Sequence, residues 1–388
     1  MTASLAGSFD ELNQQLSAYS AHADQSASEP SPSQTNTAIP SAQSKWILSP
    51  TLDYLLGCGG LVWLLFGFHY FVLSGTTHGP TAASLLTLSS LGAIFLGEGH
   101  TAATLVHTYR SADLRQRFAA YTKWLPLFFG ALAAAGTLVP GIAPILVKLY
   151  LLIVPHHFMA QSYGIARVYC LKQNYLLEDD ERRALILVTW CTTIFAVIRQ
   201  LTPVEASSPF LSQMILEWAI LPAVCATVAQ LVLLSAIIMF VAVISLRAIK
   251  ERRTFPLPAL MTMTTGIAAF TLIQPANGIY WLYVSAFFHA TQYFLTVLAS
   301  HWNEQKITSC KQRLQSLITN SPTTRMLGMV LLVSVFIYFG IPRLLESVGL
   351  NYTLAMASIF TTMNMHHAAI DGVLWKLRRR QVRQAISQ

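Results

Sequence analysis

Long apolar runs, cut by short polar breaks, make up most of the chain after Lys45. A helix needs roughly 20 mainly apolar residues to cross a bilayer. On that measure the pattern predicts spans near 52–73, 82–109, 122–139, 142–170, 184–202, 214–246, 257–273, 276–300, 326–345 and 350–375. The third and fourth runs are separated only by Pro140 and Gly141, and the seventh and eighth only by Pro275 to Gly278, as tight turns require. The expected fold is therefore all-α, a polytopic transmembrane helical bundle of about ten spans covering residues 46–375. Residues 1–45 are rich in Ser, Ala, Gln, Thr and Pro, lack helical periodicity, and read as a disordered tail. Residues 376–388 read as a basic cytoplasmic tail.

Composition agrees with this pattern. The 388 residues are 54% hydrophobic and 11% charged, against roughly 25% charged in soluble domains. The net charge of +8 does not call for nucleic acid, because the basic residues lie in short loops beside the apolar runs. All of the 25 Lys and Arg except Lys148, Arg199 and Arg343 fall before the first run, in the loops after even-numbered runs or at the run ends that border them, or in the C-terminal tail. Basic loops stay in the cytoplasm. Both termini are thus expected there, with ten crossings between them. The N-terminus has no basic segment followed by an apolar run, so no cleaved signal peptide is expected. The five cysteines contain no CxxC and suggest neither a disulfide framework nor a zinc site.

This topology sorts the histidines by depth. The even-numbered spans run inward, so their C-terminal halves lie toward the cytoplasm. Four of them carry polar side chains there: Glu98, His100 and His107; His156, His157 and Gln161; His289 and Gln292; His366, His367 and Asp371. At about 1.5 Å per residue most lie roughly 5–20 Å inside their helix ends. His22, His69 and His78 fall in the tail or toward the outer side, and His301 at the interface. Spacing supports shared faces. His157 and Gln161, like His367 and Asp371, are one turn apart, and His100 and His107 are two.

Ionisable groups inside a membrane are costly and tend to be functional. Seven imidazoles at one depth (His100, His107, His156, His157, His289, His366 and His367) are candidate metal ligands. Glu98 and Asp371 are candidate catalytic carboxylates, while Gln161, Gln292 and Asp371 are candidate acceptors for imidazole N–H groups. Imidazole with carboxylate and an open position suits non-haem iron, as one or two ions. Such a centre, in the cytoplasmic leaflet, would meet a lipid-soluble substrate such as a fatty acyl chain or isoprenoid and oxidise it with O₂ by desaturation or hydroxylation. An electron-donor protein would be a partner. No flavin or nicotinamide fingerprint is present.

With its paired histidines His156-His157 and His366-His367 on apolar segments, and with His100 and His107, the chain loosely resembles the integral-membrane, histidine-rich non-haem di-iron enzymes of the fatty-acid desaturase and hydroxylase type. The HxxxH and HxxHH boxes of that class are absent. The resemblance implies a membrane oxygenase or desaturase. A looser likeness is to membrane-embedded carotene-cleaving oxygenases, in which intramembrane histidines hold one iron. Two other readings of the same residues stay open. One is a haem b electron-transfer protein with axial histidines on facing helices. The other is a membrane transporter, which would need polar groups along a whole path across the bilayer.

Overall fold

A computed structural model describes residues 45–68, 71, 93–110, 112–203, 219–271, 278–307, 309–319 and 321–374. The polar tail through residue 44, His69, His78, residues 82–92 of the second predicted span, Glu205, Glu217 and residues 375–388 lie outside them.

The described chain is helical, with no strand among the described residues. The first predicted span is a bent pair, α1 (Pro50–Gly57) and α2 (Gly60–Phe68), meeting at 57°. Gly59 turns the corner at φ +86, and a Cβ there would lie 2.4 Å from Thr265 Cγ2, so only glycine suits the bend. A π-helical segment, Ala93–Glu98, leads into α3 (Gly99–Arg110), and a short α4 (Ala112–Arg117) follows. Then come α5 (Ala119–Leu138), α6 (Ile142–Lys172), α7 (Asp179–Gln200), α8 (Ala223–Glu251), α9 (Leu257–Thr271) and α10 (Gly278–Glu304). The short α11 (Cys310–Ile318), α12 (Pro322–Ser347) and α13 (Tyr352–Leu374) complete the chain. Each predicted run with described residues thus corresponds to helix. The basic loops add α4 and α11, which apolar periodicity did not predict.

Among the described residues α6, α8 and α12 are long and apolar enough to cross a membrane, and the bent pair is a fourth if counted as one span. In α8 only Ala229, Leu233, Ala236 and Phe240 are buried, forming one stripe. Its other faces expose Val224, Leu231, Leu234 and Ile238. Helix surfaces in water are polar; up to Leu246 the exposed faces of this one are mainly apolar.

Local signals fix the helix ends. Ser309 with Gln312, and Ser321 with Thr324, form capping boxes. Buried Asp53 accepts the backbone N–H groups of Ile47 (2.6 Å), Leu48 (2.9 Å) and Ser49 (3.3 Å), which anchors the chain ahead of α1. The exceptions to the charge pattern have local partners. Lys148 Nζ donates to the Gln200 carbonyl (2.6 Å), placing a cation at the C-terminus of α7. Arg343 pairs with Glu346 (2.6 Å), and Arg199 lies over the Phe195 ring.

The helices that matter most for the site are neighbours. α13 packs along α5 and α6 and touches α3; α10 touches α3, α6 and the π segment. Close approach of α5 to α13 requires Gly136, where a Cβ would meet Ser358 Oγ at 2.4 Å.

Candidate metal centre

Four histidines from four helices converge: His100 of α3, His157 of α6, His289 of α10 and His367 of α13. Their ring centroids are 4.9 Å apart for His100–His289, 4.5 Å for His100–His367, 4.7 Å for His157–His289 and 4.9 Å for His157–His367. His100, His289 and His367 are each at most 4% exposed. The Nε2 atoms of His157 and His367 face each other at 3.0 Å. Asp371, one turn beyond His367, brings Oδ2 to 3.5 Å from the same Nε2.

The hydrogen bonds outside the cluster set the tautomers. His100 Nδ1 donates to the Gly97 carbonyl at the end of the π segment. Its Nε2 then carries a lone pair, is buried, and has no hydrogen-bond partner among the described residues. Thr104 donates its proton to the Tyr293 hydroxyl (2.6 Å) and so accepts from His367 Nδ1–H (2.7 Å). That leaves a lone pair on His367 Nε2, the atom facing His157 and Asp371. Metal-binding histidines are held in this way, with the far nitrogen donating to a neighbour. Neither nitrogen of His289 has a hydrogen-bond partner among the described residues, and its ring stacks on Phe158 at 3.9 Å and 10°.

These residues fit a metal ion. The donor atoms of His100, His289 and His367 lie within 4.8 Å of one another, as do those of His157, His367 and Asp371. Two imidazole nitrogens bound to one ion at about 2.0–2.1 Å stand roughly 2.9–3.4 Å apart for right-angle to tetrahedral geometry. The His157–His367 separation of 3.0 Å falls in that range. The rings, with Tyr150 and Phe158, enclose a cavity of about 10 Å³, room for one water or ion.

The other sequence candidates lie elsewhere. His156 is exposed and its ring lies 5.0 Å from Trp190, on the side of α6 away from the cluster. His366 faces Phe129 and a different cavity. His107 is half-buried two turns beyond His100, and His301, expected at the interface, is 5% exposed. None of these joins either group of candidate ligands. Glu98 is half-buried, interacting electrostatically with Tyr150 and Tyr338 rather than joining the imidazoles. The two glutamines do not orient imidazoles as expected. Gln161 donates to the His289 carbonyl (2.8 Å) and to Gln292 (3.1 Å), and Gln292 donates to the Gly57 carbonyl (3.0 Å). They clamp backbones together around the site.

Thr104 and Tyr293 are the residues that sequence reasoning missed. A signal for both was present. Thr104 follows His100 by four residues and Tyr293 follows His289 by four, so each shares its histidine's helix face.

No family model matches the chain, and neither a curated protein nor a solved structure matches it.

Proposed function

We propose that this protein is a membrane-bound, non-haem iron oxidoreductase that uses O₂ on a lipid-soluble substrate. The observation carrying this reading is the convergence of four imidazoles from four helices on one another and on Asp371. Nitrogen-rich sites with a carboxylate suit iron among the metals available to proteins. The short ring separations and the small cavity favour an ion over a porphyrin.

His100, His157, His289 and His367 would hold the metal, with Asp371 beside them. Bound iron supplies the one-electron and O₂ chemistry needed at an unactivated carbon. The protein's part is to orient and to exclude water. Thr104 and Gly97 fix two of the rings, Phe158 packs on a third, and the buried setting keeps bulk solvent out. Hydroxylation or desaturation also consumes two electrons and two protons per O₂, so a donor protein is required; the basic cytoplasmic loops offer it a docking face.

The placement proposed with this function is a ten-span bundle with both termini cytoplasmic and the cluster toward the cytoplasmic leaflet. The distribution of Lys and Arg and the correspondence between predicted runs and helices support it.

The test is elemental analysis with an optical spectrum on the purified full chain. About one or two iron equivalents without a Soret band is the expected result. A haem spectrum, or no metal after gentle isolation, overturns the reading.

A further inference from the structure

A second cavity, of about 620 Å³, lies between α5, α12 and α13, with Leu105 and Tyr109 of α3 at one side. It falls within the range of sites that hold a small organic ligand. Its lining on α5 runs from Thr122 to Leu138, about 24 Å at 1.5 Å per residue. That exceeds half of a hydrocarbon core about 30 Å thick. The slot is therefore long, parallel to the helices and almost wholly apolar, lined by Phe129, Gly130, Ala134 and Ile341 among others.

One polar group stands out. His366 lines this cavity, is 2% exposed, and has no hydrogen-bond partner for either ring nitrogen among the described residues. Burying an imidazole unpaired is unfavourable. A neutral imidazole presents one donor and one acceptor. A hydroxyl or a protonated carboxyl can donate to the bare nitrogen or accept from the N–H, whereas an alkane can do neither.

We infer that this cavity binds one long-chain alcohol or acid, acyl or isoprenoid, with its chain along α5 and its head group on His366. Adjacent helical residues point about 100° apart. His366 therefore serves this site while His367 serves the imidazole cluster. The inference goes beyond the metal-centre reading and does not depend on it.

The experiment uses the full chain, stripped of lipid and reconstituted in nanodiscs. Geranylgeraniol and palmitic acid are the probes and hexadecane the headless control. Native mass spectrometry gives stoichiometry, and competition with a radiolabelled probe gives affinity. One molecule per chain of at least one probe is expected, and which probe binds separates isoprenoid from acyl chains. Ala134→Trp, which fills the slot, should weaken binding at least tenfold. His366→Leu should do the same for alcohol or acid while leaving hexadecane unchanged. Leu332→Trp, on the exposed face of α12, is the control and should bind as the wild type does. Should Ala134→Trp fail to fold, Gly130→Leu serves in its place. The inference fails if neither probe binds, if the slot-filling variant binds as tightly as wild type, if His366→Leu leaves alcohol and acid binding unchanged, or if only bulk phospholipid is retained. Metal analysis of the same samples keeps this outcome distinct from the fate of the metal-centre reading.

Discussion

Thr104 accepts the Nδ1 proton of His367 across 2.7 Å and passes its own to Tyr293. One hydroxyl thus links α3, α10 and α13 and decides which His367 nitrogen faces the cluster. Removing partners of this kind typically weakens metal binding 10–100-fold. Thr104→Val should therefore lower metal affinity by about that factor with the helix content intact, and Tyr293→Phe by less. Metal titration followed by elemental analysis measures it; unchanged affinity in Thr104→Val would show that the hydroxyl has no such role.

The paired histidines should behave unequally. His157→Ala and His367→Ala should each lose most of the bound metal, while His156→Ala, altering a residue that packs on Trp190 at the exterior, should retain it. Metal content of the three purified variants is the readout. A dispensable His157 alongside an essential His156 would place the site elsewhere.

The glutamine clamp is a stability feature. Gln292→Leu strips the Gly57 carbonyl of a buried donor and Gln161 of one of its two acceptors. An unmade buried hydrogen bond costs about 1–3 kcal/mol. A lower midpoint of thermal unfolding in detergent is expected. An unshifted midpoint would mean that the clamp is redundant.

Orientation is open to direct labelling. In a cysteine-free background, Arg343→Cys should react with a membrane-impermeant maleimide on intact cells, and Arg253→Cys only after permeabilisation. The reverse pattern would invert the proposed topology.

On the cytoplasmic side of the proposed bundle, Arg247 donates to both oxygens of Asp180, tying α8 to α7. These hydrogen bonds hold the Asp180 carboxyl below its ordinary range. A depressed folded pKa contributes stability above the unfolded value of about 3.9, and that contribution disappears as pH falls through the folded value. The pair is solvent-exposed, so its effect is small. Arg247→Ala should lower the unfolding midpoint slightly at pH 7, with the gap closing as the solution is made strongly acidic. A gap that widens in acid would contradict the assignment.

Much of this arrangement is legible in the sequence. Apolar runs placed the helices, and the four-residue spacing of His367 and Asp371 gave a true pair. The choice within each histidine pair was not legible. Neighbouring residues differ by about 100° around a helix, and a helix that is apolar on all sides gives no sign of which face turns inward. His107 shows the opposite limit. It shares His100's face, but two turns carry it roughly 10 Å along the axis, too far for one cluster. Two of the ten proposed spans are less apolar than α6, α8 and α12. α10 and α13 are 27 and 23 residues long, yet neither is among the helices apolar enough to cross a membrane. They carry two of the four imidazoles, His289 and His367, together with Gln292 and Asp371.

The doubled histidine of α13 makes the length of that helix as constrained as its composition. Deleting one residue between Thr361 and Met365 would bring Ala368 to the cluster and His367 to the apolar slot. Inserting one would return an imidazole to the cluster, now His366, but would set Ile370 where Asp371 had been. Neither frame shift restores both proposed sites, so both proposals require the length of this segment to be kept.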